Sequence, residues 1–134
     1  MMFYPTLKKC DMAIPNASDI KIFVPAKNFQ LSLDFYLALG WKMNWIHENS
    51  LAELEMADSR FLLQDFYVKD WAHNFMIYMV VDDANAWCKH VKDILNKDSK
   101  YDTCRVQDPK KEPYGLVTYV WDPSGVLIHF VESK

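Results

Sequence analysis

Hydrophobic and polar positions divide the chain into two halves that share one order of elements. In the first half, alternating runs and one helical pattern predict a strand over 19–24, a helix over about 28–39, and strands over 41–47, 50–56 and 60–66. In the second half they predict a strand over 75–81, an amphipathic helix over 84–95, a strand over 103–107, and a closing hairpin over 116–131. Residues 1–18, broken by Pro5 and Pro15, are predicted to form an arm that precedes the first strand.

Capping and turn residues mark the ends of these elements. Asn28 is a suitable N-cap for the first helix, Gly40 suits the position just after it, and Asp82 or Asp83 can cap the second. The tetrad 122–125 (DPSG) predicts the turn of the closing hairpin, because Pro presets φ at the second position and Gly suits the fourth. On the strand after this turn, alternation places His129 on the face opposite Ile128 and Phe130.

Composition narrows the class of protein. A chain of 134 residues with 51% hydrophobic content indicates one domain with a full core. The net charge of −3 and the absence of any basic run argue against nucleic acid as a partner. Apolar stretches fall short of the roughly 18 residues that a membrane span needs, and the first residues do not read as a signal peptide. Three widely spaced cysteines without a Cys-x-x-Cys pair predict a protein of a reducing compartment, the cytoplasm.

Three segments resemble motifs of the vicinal oxygen chelate superfamily, which contains glyoxalase I, bleomycin resistance proteins and extradiol dioxygenases. They are residues 33–41 (LDFYLALGW), 80–83 (VVDD) and 121–130 (WDPSGVLIHF). The resemblance implies an α+β fold in which two βαβββ modules, about 19–68 and 74–132 of a domain over 19–134, form a half-open cup of mixed β-sheet. The helices would cover its outer face.

The resemblance also implies where metal ligands would stand. In the metalloenzymes of the superfamily, ligands come from the first and fourth strands of each module, and these positions fall here on Asp19, Gln64, Met76 and His129. The Met76 thioether suits none of the divalent ions expected there. No cofactor is therefore favoured, and the metal-free bleomycin-resistance-like branch fits better. The alternative is a metal-dependent lyase, isomerase or dioxygenase in which Asp19, Gln64 and His129 hold a divalent ion.

The sequence therefore predicts non-covalent binding, or sequestration, of a small organic ligand in an aromatic-lined cup of a homodimer. The predicted ligand-binding residues are His129, Gln64, Asp19, Met76, Tyr78, Tyr119, Trp121 and Trp71. A further alternative is a non-catalytic module whose aromatic face serves only dimerisation. Glu53, Glu55 and His47 are expected to form a solvated strand face rather than a cation site.

Overall fold

The predicted order of elements is confirmed by a computed structural model, which describes residues 13–134. The apolar segment 2–4 of the predicted arm lies outside the described residues. The helices are α1 (Phe29–Leu39), the short α2 (Lys69–Ala72) and α3 (Ala84–Lys97), with a 3₁₀ turn at Ser99–Tyr101. The strands are β1 (Phe23–Pro25), β2 (Lys42–His47), β3 (Leu51–Met56), β4 (Ser59–Gln64), β5 (Met76–Val80), β6 (Arg105–Val106), β7 (Lys110–Glu112), β8 (Gly115–Trp121) and β9 (Leu127–Ser133).

The strands form two mixed sheets, one for each half, so the α+β class is confirmed. The first sheet has the order β1-β4-β3-β2, and the second has the order β5-β9-β8-β6, with β7 also paired to β8. In each sheet the strand before the helix pairs in parallel with the last strand of its half, β1 with β4 and β5 with β9. The remaining pairs are antiparallel. Within residues 13–134, no helix is long and apolar enough to cross a membrane.

Both long helices begin where their capping residues predict, and α1 also ends as Gly40 predicts. The Asn28 side chain accepts a hydrogen bond from the Leu31 N–H at 3.1 Å, and Gly40 ends α1 with φ at 121°, a conformation that glycine adopts readily. Of the two candidate caps for α3, Asp83 is the one that accepts from the helix, at 3.0 Å from the Ala86 nitrogen.

One hydrophobic core joins the two halves. It contains Phe35 and Tyr36 of α1, Val91 of α3, and inward-facing strand residues of both sheets such as Leu63 and Ile128. Each of these side chains is fully or almost fully buried, and burial of one such chain contributes about 1.5–3 kcal/mol. The helices cover one face of each sheet, so the opposite faces are free to form a site.

Polar contacts fasten the closing turn of the second half to the first helix. The buried Asp122 carboxylate accepts a hydrogen bond from the Tyr36 hydroxyl at 2.7 Å. The Ser124 hydroxyl accepts from the Lys27 N–H at 2.9 Å and lies 3.2 Å from the Ser32 hydroxyl. The DPSG segment is therefore both the turn of a hairpin and the joint between the two halves.

Three predicted segments differ from the structure. The first strand was placed over 19–24, yet β1 begins at Phe23, because it pairs with only the last three residues of β4. The strand placed over 103–107 is reduced to β6, and the predicted loop after it contains β7, which pairs along β8. The segment 68–74, for which the pattern predicts a polar linker without a helix, contains α2.

Candidate functional site

Three rings lie side by side on the helix-free face of the second sheet. Tyr78 of β5, His129 of β9 and Tyr119 of β8 occupy directly opposed positions on neighbouring strands. The Tyr78 ring stacks near-parallel to the imidazole at 6.4 Å between centroids, and the Tyr119 ring meets it edge-on at 5.0 Å. We call these three residues the aromatic row. Strand alternation predicted that His129 faces away from Ile128 and Phe130, and both of those residues are fully buried on the helix side.

The His129 imidazole has unsatisfied hydrogen-bonding capacity. Both ring nitrogens are buried, and neither has a hydrogen-bond partner among the described residues. Burial lowers the pKa of His129 from its ordinary value of 6.5, because a charged imidazolium would be poorly solvated there. At neutral pH the ring is therefore uncharged, with one N–H donor and one acceptor nitrogen.

Tyr119 is held in its neutral form. Burial first, and then the neighbouring Tyr114 hydroxyl and Glu112 carboxylate, raise the pKa of Tyr119 to about 12. Glu112 lies on β7, the strand that sequence reasoning missed, directly opposite Gly115 of β8. The unpredicted strand thus places a carboxylate beside the aromatic row.

The helix-free face of the second sheet extends beyond the aromatic row. Met76, Leu127 and Trp121 are opposed in the same way as the row itself, two residues or ~7 Å along the strands. Met76 and Tyr78 are 61% and 58% exposed, so this face is open in a single chain. At its Trp121 end, the Arg105 guanidinium carbon lies 4.2 Å above the centre of the indole ring.

The corresponding face of the first sheet is ionic instead of aromatic. The Glu53 carboxylate is held by Lys21 Nζ at 2.5 Å and by Asn44 Nδ2 at 2.9 Å, and Arg60 bridges Asp19 and Glu55. Glu53 is only 5% exposed, so the expectation of a solvated face is wrong for this residue. Its partners hold the pKa of Glu53 below its usual range, first Lys21 and then Asn44.

This fold is shared with solved structures of antibiotic-binding proteins. No protein-family model matches the chain, and no curated protein matches it. The bleomycin-binding protein from Streptomyces verticillus, solved with copper(II)-bleomycin, superposes with a TM-score of 0.70 at 17% identity, over 89% of this chain and 100% of that one. The chain has the vicinal oxygen chelate fold.

Other solved structures with this fold belong to proteins of different functions. TnmS3, an antibiotic-binding protein from a Streptomyces species, gives a TM-score of 0.70 at 19% identity, over 90% of this chain and 100% of that one. Lactoylglutathione lyase from Agrobacterium tumefaciens gives 0.59 at 16% identity, over 86% and 93%. The vicinal oxygen chelate fold therefore accommodates binders and enzymes, and the choice between them depends on the residues of the site.

The four positions implied for a metal do not converge on one ion. Asp19 contacts Arg60 at 3.0 Å, whereas Gln64 lies four residues further along β4, a span of ~13 Å. The backbone N–H of Ile20 and the Arg60 guanidinium lower the pKa of Asp19, so its carboxylate is already satisfied. His129 and Met76 lie on the other sheet. A divalent ion held jointly by Asp19, Gln64 and His129 does not fit this arrangement.

Trp71 lies apart from the aromatic row. It belongs to α2 and packs against Phe66 and Phe75, at 6.0 and 5.9 Å between ring centroids. Of the eight predicted ligand-binding residues, the structure brings five to one face, His129, Tyr78, Tyr119, Met76 and Trp121. Asp19, Gln64 and Trp71 lie elsewhere.

A cleft of about 530 Å³ opens beside Trp121, where the second sheet meets the linker between the halves. Its basic side chains are Lys27, Lys69, Arg105 and His73, and none of the described residues that line it is acidic. We call it the cationic cleft. Sequence reasoning missed it because its basic residues come from three separate segments, and no local pattern joins them.

Proposed function

We propose that the protein binds a small, flat organic molecule non-covalently on the aromatic row and thereby sequesters it. The observation that carries this proposal is the buried, uncharged imidazole of His129, which lies between two tyrosine rings with both nitrogens unpartnered in the described residues. A buried polar group without a partner costs about 1–3 kcal/mol. A ligand that hydrogen-bonds the imidazole offsets that cost.

The surrounding rings supply the rest of the affinity. Tyr78 and Tyr119 offer apolar surface to a planar ligand, and stacked or edge-on ring contacts are worth about 0.5–1.5 kcal/mol beyond the area they bury. Met76 and Trp121 extend that surface on the same face. Two neighbours in fold, a bleomycin-binding protein and an antibiotic-binding protein, also support a binding function.

A second copy of the chain would complete the cup. One chain leaves the row open, and β5 ends its sheet with one edge unpaired in the described part of the chain. Val80 on this strand is 73% exposed, and Ile20, just before β1, is 82% exposed. Exposed apolar residues beside an unpaired strand edge favour association with another chain. We propose a homodimer in which this edge is covered.

The test is calorimetric titration of the wild-type protein and of His129→Ala with bleomycin, copper(II)-bleomycin and a panel of neutral planar aromatic compounds. At least one compound should bind at a stoichiometry of one per chain. His129→Ala should weaken that binding by about tenfold or more, the loss expected when a buried hydrogen bond is removed.

His47→Ala is the matched control, because His47 is an exposed histidine on β2 of the other sheet. It should bind as the wild type does. If no compound of the panel binds, or if both alanine variants bind equally well, the proposal is wrong.

A further inference from the structure

The cationic cleft shares Trp121 with the face that holds the aromatic row. Its 530 Å³ lies within the range of small-molecule sites. Three segments contribute to its lining, and they are Lys27 just after β1, the stretch around α2 (Tyr67, Lys69 and His73), and the closing hairpin (Trp121, Pro123, Ser124 and Gly125). It therefore lies at the joint between the halves, next to the Trp121 end of the face that holds the row.

No ion pair within residues 13–134 neutralises the positive charge of this cleft. Five basic residues elsewhere, Lys21, Arg60, Lys92, Lys100 and Lys110, each have a carboxylate oxygen within 4.0 Å. Lys27, Lys69 and Arg105 have no such partner among residues 13–134. The chain as a whole carries −3, so three uncompensated cations around one cleft form a local field opposite in sign to the net charge.

Aromatic rings hold two of these cations in place without neutralising them. The Lys27 ammonium lies 5.5 Å from the centre of the Tyr67 ring, and Arg105 lies flat enough on Trp121 to approach its centre at 4.2 Å. A guanidinium stacked by its face keeps its N–H edges free. Those edges match the two oxygens of a carboxylate or phosphate.

The turn of the closing hairpin approaches the His73 ring in the lining of this cleft closely. Gly125 has φ at 90°, and a Cβ there would lie 2.6 Å from Cδ2 of the His73 ring. His73 Nε2 in turn lies 3.3 Å from the Tyr67 hydroxyl. The absence of a side chain at 125 therefore lets the turn approach the wall of the cleft and hold His73 against it.

We infer that the cationic cleft binds the anionic group, a carboxylate or phosphate, of the ligand whose flat part lies on the aromatic face. This names the chemical class of the ligand, and it rests on the proposed function in placing that flat part. Arg105 and Lys27 supply the charge-assisted hydrogen bonds, and Trp121 joins the two parts of the site. A cationic ligand is disfavoured here by the same three charges.

Phenyl phosphate and benzoate test the two possible anions, with phenol as the neutral and benzylamine as the cationic analogue. Binding is measured by calorimetry, and by the fluorescence of the tryptophans, since Trp121 lies directly beneath Arg105. One or both anions should bind at least about tenfold more tightly than phenol and benzylamine. Raising the salt from about 0.05 to about 0.5 M should weaken that binding several-fold, because salt screens exposed charges.

Arg105→Gln should weaken binding of the preferred anion by about tenfold or more, and Lys27→Gln should weaken this binding to a smaller degree. Lys42→Gln is the matched control, since Lys42 is an exposed cation on β2 of the other sheet, and it should not change the affinity. All three positions are exposed, so thermal unfolding should match the wild type.

The inference is overturned if neither anion binds at millimolar concentration, or if Arg105→Gln and Lys42→Gln bind equally. Loss of the proposed function is a separate result. If a neutral aromatic compound still binds in a way that depends on His129, the aromatic row is a site and only the cleft has failed. If the anions bind the wild type and His129→Ala alike, and no neutral aromatic compound binds, the cleft is a site and the row has failed.

Discussion

At the scale of single residues, His129 acquires its properties from the two tyrosines beside it. Alternation along the last strand was enough to predict which face His129 occupies, because the period of a strand is fixed at two. The same alternation predicted that Tyr78 shares a face with Met76, and Tyr119 with Trp121. It could not predict that the three fall on one line across β5, β9 and β8, since that depends on the register of pairing between strands far apart in the sequence.

Removing the Tyr78 ring should raise the pKa of His129. Burial is the cause of the lowered pKa, and the Tyr78 ring covers the imidazole on one side. Tyr78→Ala admits water to the imidazolium, so the pKa should move back toward 6.5. The measurement is an NMR titration of the imidazole resonances. Tyr67→Ala, which removes a ring from the cationic cleft, is the control and should leave the pKa of His129 unchanged. An unchanged value in Tyr78→Ala would show that another group buries His129.

Asp19 and Gln64, which were predicted to belong to one site, lie far apart in the structure. Gln64 lies at the end of β4 as predicted, whereas Asp19 precedes β1, which begins only at Phe23. Because β1 runs parallel to β4 and pairs only with its end, Asp19 falls near Arg60 at the start of β4 and far from Gln64. The alternation of residues within one strand carries no information on where that strand pairs along its neighbour.

At the scale of elements, the closing turn carries an ionisable group where water is excluded. Asp122 is fully buried, and burial raises its pKa from 3.8 to about 6, although hydrogen bonds from Tyr36, Ser124 and Val126 oppose this rise. The tetrad around it was predicted as a turn from its residue types. The depth at which the turn lies could not be predicted, because α1 of the other half covers it.

Asp122 should make stability depend on pH in an identifiable way. Between pH about 4 and 6 the folded state retains a proton that the unfolded state has released, so the contribution of Asp122 to stability falls as pH rises. The unfolding free energy of the wild type, relative to Asp122→Asn, should decline by up to about 3 kcal/mol over this range. Denaturant unfolding at a series of pH values measures it.

Tyr36→Phe provides the companion variant. It removes the hydroxyl that donates to the Asp122 carboxylate, so the pKa of Asp122 should rise further. The decline of the unfolding free energy should then extend to higher pH. This account is contradicted if the unfolding free energies of the wild type and Asp122→Asn differ by the same amount at every pH from about 4 to 7.

At the scale of the whole molecule, the two modules differ in the faces that they leave open. The face of the first sheet is a network of ion pairs, and that of the second is aromatic and apolar. The order of elements predicted two similar halves, and the resemblance to the vicinal oxygen chelate superfamily implied the α+β fold. It did not predict this asymmetry, because the buried pairing of Lys21 with Glu53 requires a contact between distant strands.

A charge placed on the free edge of β5 should abolish the proposed dimer. Val80→Glu puts a carboxylate where an apolar interface is expected, and burial of an unpaired charge there is strongly unfavourable. Sedimentation velocity should show a dimer for the wild type and a monomer for Val80→Glu. Leu37→Glu is the control, because Leu37 is an exposed apolar residue of α1, and it should sediment as the wild type does. A wild-type monomer at all accessible concentrations would exclude the homodimer.

The joint at the closing turn also sets the order in which the chain can acquire its structure. Helix α1 is translated well before the closing hairpin, yet the partners of Tyr36 and Ser32 are Asp122 and Ser124, about ninety residues later. The shared core likewise needs Ile128 and Phe130. The first module therefore cannot finish folding while the ribosome is still making the second, and contacts of such long sequence separation are typical of slow folding. For a newly made chain, the interval before the last hairpin emerges is the period of greatest exposure to aggregation.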